Sequence, residues 1–158
     1  MLSQNALMQI DQELAKYPAE NRRSATMAAL RIAQAELGWI SSATIKYVAE
    51  YLLIPPTQVM EVATFYSMYN LQAVGKYKIV VCTNLPCALR GGVNTAEYLL
   101  QKLGISELGG SSADGKFTVQ EGECMGACGD APVIIVNNHK MCSFMTPDAI
   151  DKKLAELV

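Results

Sequence analysis

Four cysteines constrain this chain more than any other feature. Cys82 and Cys87 bracket Thr-Asn-Leu-Pro, Cys124 and Cys128 bracket Met-Gly-Ala, and the whole stretch from Ala88 to Glu123 lies between the pairs. A fold that uses these thiols must bring two short loops together across that gap. Two loops delivering two thiolates each can hold a [2Fe–2S] cluster, in which each iron takes two protein sulfurs besides the bridging sulfides. Cys₄ ligation also suits structural zinc, although zinc sites favour a two-residue gap that neither pair has. A thiol–disulfide enzyme fits less well, because no C-x-x-C occurs. A Rieske centre or a His-rich catalytic zinc site needs more histidine than the single His139. The spacing thus leaves an electron-carrying cluster domain, a zinc-stapled interaction module and a thiol redox sensor in play, with the cluster preferred.

Composition narrows the setting. A 51% hydrophobic and 18% charged chain is a folded protein with a real core, not a disordered one. The net charge of −2 makes nucleic acid and anionic membrane poor partners. No apolar run approaches the roughly 18 residues of a membrane span, and neither a secretory signal nor an Arg-rich transit peptide is visible at the start. Five cysteines in such a chain point to a reducing compartment, hence the cytoplasm. Cys142 reads as a small buried residue and His139 as a surface one. Neither Gly91-Gly92 nor Gly109-Gly110 forms a phosphate-cradling loop, so any nucleotide binds elsewhere.

Residues 1–74 read as helices. Ser3 caps a segment carrying Leu7, Ile10, Leu14 and Tyr17, closed by Pro18. A second runs from Ser24 to Leu37, with Met27, Leu30 and Leu37 on one stripe and Gly38 as its C-terminal cap. Ser42 caps a third, with Ile45, Val48, Ala49 and Leu52 inward. Pro55-Pro56 restart the chain into a fourth, with Val59, Val62, Ala63 and Tyr66 in step. From residue 75 the pattern changes to strands. Tyr77–Val81 is a buried strand ending at Cys82, and a helix follows from Cys87 to Leu103 with Leu89, Val93, Ala96, Leu100 and Leu103 inward. Phe117–Gln120 and Val133–Val136 are strands, Asn137-Asn138 turns into a fourth strand over 140–145, and Pro147 opens a last helix with Ile150, Leu154 and Leu157 on its inner face. The fold class is α+β: a small helical bundle over 1–74, then a thioredoxin-like β-α-β-β-β-α domain over 75–158.

On that scaffold the cysteines converge if the first two strands are neighbours. Gly122, Gly126 and Gly129 flank the second pair and allow tight turns that aim N–H groups at sulfur. Pro86 and a helix start at Cys87 favour thiolate there. Glu121, Glu123 and Asp130 bring negative charge, which opposes adding an electron and lowers the reduction potential.

The sequence is similar to the small iron–sulfur subunit, the E subunit, of the bacterial-type NADH:quinone oxidoreductase, respiratory complex I. The likeness runs through Arg23-Ser24-Ala25, Gly38-Trp39-Ile40, Val62-Ala63-Thr64-Phe65-Tyr66 and Gly75-Lys76-Tyr77. It continues in Val81-Cys82, Pro86-Cys87-Ala88-Leu89-Arg90-Gly91, Glu123-Cys124-Met125-Gly126-Ala127-Cys128, Ala131-Pro132-Val133 and Met145-Thr146-Pro147-Asp148; the stretch around Cys142 departs most. The resemblance implies a thioredoxin-like ferredoxin with one [2Fe–2S] cluster on Cys82, Cys87, Cys124 and Cys128. It further implies a flavoprotein partner subunit that binds NADH and FMN, other peripheral-arm subunits, and a place on the inner face of the plasma membrane through the complex. Relatives with the same pattern serve NAD-linked hydrogenases and formate dehydrogenases.

Overall fold

The computed structural model describes residues 1–157, and the chain divides into two compact units, Met1–Ala73 and Val74 onward. The first is helical: α1 (Gln4–Leu14), a 3₁₀ turn over Ala19–Ala25, α2 (Thr26–Leu37), α3 (Ser42–Leu52) and α4 (Pro56–Phe65). Its core gathers Ile10, Leu30, Ile40, Val48, Leu52 and Val59, all essentially sealed from water. Ser3 caps α1 by accepting from the Ala6 N–H at 3.2 Å, and its own N–H and hydroxyl donate to Glu36 of α2, tying the two helices. The cap of α3 is Ser41, not Ser42; its Oγ accepts from the Thr44 N–H at 3.0 Å. At the other end of α3 the Arg22 guanidinium donates to the Leu52 and Tyr51 carbonyls at 2.7 and 3.2 Å, satisfying groups that a helix end leaves open.

The expected stripe on α2 is rotated. Met27 and Leu37 are exposed, while Ala29, Leu30, Ile32 and Ala33 face inward. Small residues won because close helix approach needs them, and a scan for large apolar side chains passes over them. Tyr66 likewise ends α4 half-exposed instead of extending its buried face.

The second unit is built on a four-stranded sheet ordered β2-β1-β3-β4, with β1 Tyr77–Cys82, β2 Phe117–Gly122, β3 Ile134–Val136 and β4 Lys140–Cys142. β1 pairs with β2 in parallel and with β3 antiparallel, and β3 with β4 antiparallel. The helix expected from Cys87 to Leu103 is two helices. A short α5 (Leu85–Leu89) ends at Arg90, Gly91 turns the chain at φ +90°, and α6 (Gly92–Leu103) follows. The kink leaves Leu89 and Val93 outside the core, and Thr95, Ala96 and Leu99 take the buried face.

Helices α6 and α7 (Pro147–Leu157) pack on one another, and α6 on β1 and β2. Ile79, Val81, Leu99, Val119, Ile134 and Ile150 form the core between them. Asp151 of α7 accepts from Tyr98 Oη at 2.9 Å and Lys102 Nζ at 3.0 Å on α6. Asn137 and Asn138, both at positive φ, turn β3 into β4, which stops at Cys142 and not at Met145.

Candidate metal centre

Cys82 ends β1 directly beside Gly122, which ends β2. The strands run parallel, so both cysteine loops leave the same end of the sheet, which is the condition for convergence. Cys87 follows in α5, and Cys124 and Cys128 lie in the loop after β2. Among the described residues no three His, Cys, Asp or Glu side chains close on a single-ion point. The thiols meet instead as two pairs. The Sγ atoms of Cys124 and Cys128 are 3.9 Å apart. Two thiolates on one tetrahedral metal, with bonds of about 2.3 Å, stand about 3.8 Å apart, so this pair fits one metal of a cluster as it stands. Cys87 shares a hydrogen bond with Cys82 and lies within electrostatic reach of Cys128.

The pairs differ in exposure. Cys82 and Cys87 are buried at 0% and 1%, in a small apolar cluster with Ala131 and Val133 that Met125 and Ala127 cover in part. Cys124 is exposed and Cys128 half-buried. Burial pushes the Cys87 thiol up to about 11, reinforced by the hydrogen bond with Cys82 and opposed by the Val133 backbone. The thiolate expected from a helix start is therefore overturned for the metal-free chain. α5 has only five residues, and loss of water outweighs its few aligned amides. The Cys128 thiol is also raised, first by its hydrogen bond with Cys124. A metal bound here must displace these protons.

The glycines divide by role. Gly126, at φ +73°, donates its N–H to Cys124 Sγ at 3.5 Å, the amide-to-sulfur contact expected for this loop. A side chain at Gly122 would collide with Val80. Gly129 has open space and no left-handed backbone, so the turn does not require glycine there. Gly92, which in sequence belongs only to a glycine pair that fits no phosphate loop, sits against Cys82 and Cys87. A Cβ on it would lie 2.6 Å from the Cys82 carbonyl oxygen and 2.9 Å from that of Cys87.

The carboxylates around the site are held. Glu121 accepts from the Thr83 hydroxyl, Glu123 from Asn84 Nδ2 at 3.3 Å, and Asp130 from Ser143 Oγ at 3.3 Å. The Phe144 N–H donates to the Asp130 carbonyl at 2.8 Å, pinning the far end of the second loop. Thr83, Asn84 and Ser143 carry no signal in the sequence beyond adjacency to cysteine. Cys142 is buried on β4, outside the group, and His139 is exposed, both as expected.

The model of the thioredoxin-like [2Fe–2S] ferredoxin family matches residues 10–158. The chain belongs to this family. Membership decides for one [2Fe–2S] cluster over the zinc and metal-free alternatives that spacing left open. The NADH-quinone oxidoreductase subunit 2 of Thermus thermophilus is 42% identical over 148 residues, covering 94% of this chain and 81% of that one. The E subunit of the NADH-quinone oxidoreductase of Rickettsia felis is 46% identical over 144 residues, covering 90% of this chain and 83% of that one. The resemblance to the small subunit of that complex is thus met in its relatives. A crystal structure of an NAD⁺-reducing [NiFe]-hydrogenase aligns with TM-score 0.71 at 20% identity, over 84% of this chain and 22% of that chain, a likeness of fold.

Proposed function

We propose that this chain is the electron-transfer subunit of an NADH:quinone oxidoreductase, holding its cluster through Cys82, Cys87, Cys124 and Cys128 beside the FMN of a flavoprotein partner. The observation that carries this reading is the meeting of two thiol pairs at one end of the sheet, one pair already at metal-sharing distance. When bound, the [2Fe–2S] cluster supplies a one-electron site next to a two-electron flavin.

The chain's own residues divide the work. Cys82 and Cys87 anchor the group in an apolar pocket with Ala131 and Val133 that keeps water from its inner side. Cys124 and Cys128 present the outer side to the partner. Leu85 and Leu89, exposed at 73% and 80% on the short helix that carries Cys87, extend this face with apolar surface suited to the flavoprotein. FMN and NADH belong to that partner, and the chain performs no substrate chemistry itself. The helical unit, residues 1–74 by sequence pattern, serves as a docking region for peripheral-arm subunits. No helix among the described residues is long and apolar enough to cross a membrane. Through the complex, the chain sits on the inner face of the plasma membrane.

Iron and acid-labile sulfide analysis of anaerobically purified protein tests the reading, with EPR before and after dithionite. Two irons and two sulfides per chain are expected, with a signal that appears on reduction and is lost when any of the four cysteines becomes alanine. Zinc without sulfide would overturn it. Co-purification with a hydrogenase or formate dehydrogenase flavoprotein would keep the cluster and reassign the complex.

A further inference from the structure

Backbone pairing between β1 and β2 ends at Cys82 and Gly122. Beyond that point, among the described residues, no backbone hydrogen bond joins residues 83–91 to residues 123–130. One side-chain contact crosses the gap, and a second ties the first loop to the end of β2. The Thr83 hydroxyl donates to the Glu121 carboxylate, and Asn84 Nδ2 donates to Glu123 Oε2 at 3.3 Å. Thr83 follows Cys82 directly and is held to the end of β2, and Glu123 precedes Cys124 directly and is held to the first loop, so each contact fixes a residue beside a cysteine.

We propose that Thr83–Glu121 and Asn84–Glu123 form a clasp that holds the two ligand loops at cluster spacing, so that retention of the bound cluster depends on these four positioning residues. The clasp rests on the reading of the four cysteines as ligands. Its physical basis is the narrow tolerance of metal geometry: loops free to drift by about half an ångström open ligand bonds to water and chelator, and supporting contacts around metal ligands commonly govern affinity by about 10–100-fold. The contacts lie on the surface, so the lower end of that range applies.

The experiment uses the full-length chain purified anaerobically with its cluster, and follows the loss of visible absorbance in excess EDTA. The double variant Thr83→Val with Asn84→Ala is expected to release the cluster about tenfold faster than wild type. Thr83→Ser and Glu121→Gln keep a hydroxyl donor and a carbonyl acceptor, and are expected to release at the wild-type rate. The thermal midpoint of the metal-free double variant is expected to equal that of wild type, since the clasp matters only where loop spacing is read by a bound group. A wild-type release rate in the double variant overturns the proposal. So does equally fast release from Glu121→Gln, which would make charge the cause, or a lowered midpoint, which would make it ordinary stability. A wild-type protein lacking iron and sulfide would instead overturn the ligand reading, and the clasp with it.

Discussion

Gly92→Ala offers a sharp test of how the inner ligands are held. In an ordinary helix this change stabilises, because alanine has a better helix propensity than glycine by up to about 1 kcal/mol. Here the new methyl would lie 2.6 Å from the Cys82 carbonyl oxygen and 2.9 Å from that of Cys87, whereas ordinary contact begins at 3.4 Å. The worse overlap is about 0.8 Å, far up the repulsive wall. Neither neighbour is a side chain that can rotate away; both are backbone, of Cys82 and Cys87. Relief therefore requires α6 or the Cys82–Cys87 loop to move, and overpacking of this kind costs about 1–3 kcal/mol. With the full propensity gain set against it, the net loss is up to about 2 kcal/mol. The displacement also exceeds the tolerance of a metal site, so cluster content should fall further than stability does. Urea unfolding of the metal-free chain, iron per chain and the reduced EPR signal measure these separately. Gly129→Ala serves as the control, since open space surrounds that residue. Full cluster content in Gly92→Ala, with an unchanged spectrum and an unfolding midpoint at or above wild type, would refute the reasoning.

Other outcomes follow from the same geometry. Glu123→Gln combined with Asp130→Asn should raise the reduction potential by on the order of tens of millivolts in an EPR-monitored redox titration, because negative charge near the site opposes electron addition; an unmoved potential counts against that role. Cys142→Ser should keep iron and sulfide at wild-type levels, as that thiol lies outside the ligand group. Leu30→Ala, at a fully buried position, should destabilise the helical unit by about 2–5 kcal/mol in urea melts. Hydrogen bonds from Lys102, then Tyr98, hold the Asp151 carboxyl below its ordinary value. Its stabilising contribution is thus complete above the unfolded carboxylate range and lost as pH falls through the lower folded value. Asp151→Asn should therefore flatten the acid limb of the stability profile while leaving salt-dependent surface effects elsewhere unchanged.

Strong local chemistry is legible in the sequence. Ser3 and Gly38 mark helix ends because capping is settled within a few residues. The β-branched run ending at Cys82 marks the central strand, and the two cysteine pairs mark the site. What the sequence conceals is set by distant neighbours. Whether Met27 or Ala29 faces inward depends on how closely helices pack, and spacing alone cannot tell a large apolar residue from a small one that permits close approach. The break at Arg90–Gly91 hides inside a helical pattern, since Leu89 and Val93 keep helical spacing while standing exposed. The protonation of Cys87 escapes a local reading because helix-end electrostatics acts over a few residues. The burial that outweighs it comes from residues more than forty positions further along the chain, Ala131 and Val133. Gly92 has meaning only once α6 packs against the Cys82 and Cys87 backbone, Thr83 only once β2 lies beside β1, and Asn84 only once the second loop stands opposite it.

The parallel pairing of β1 with β2 also fixes an order of assembly. During synthesis Cys82 and Cys87 emerge together, but their counterparts follow only after α6 and the polar loop behind it. Until β2 has docked alongside β1, the chain offers two thiols and not four. Long-range parallel pairing is slow compared with helix formation. With all four thiols as ligands, loading with iron and sulfide waits for the sheet. The rate at which the chain becomes competent to take up its cluster is accordingly a clock for closure of that one strand pair.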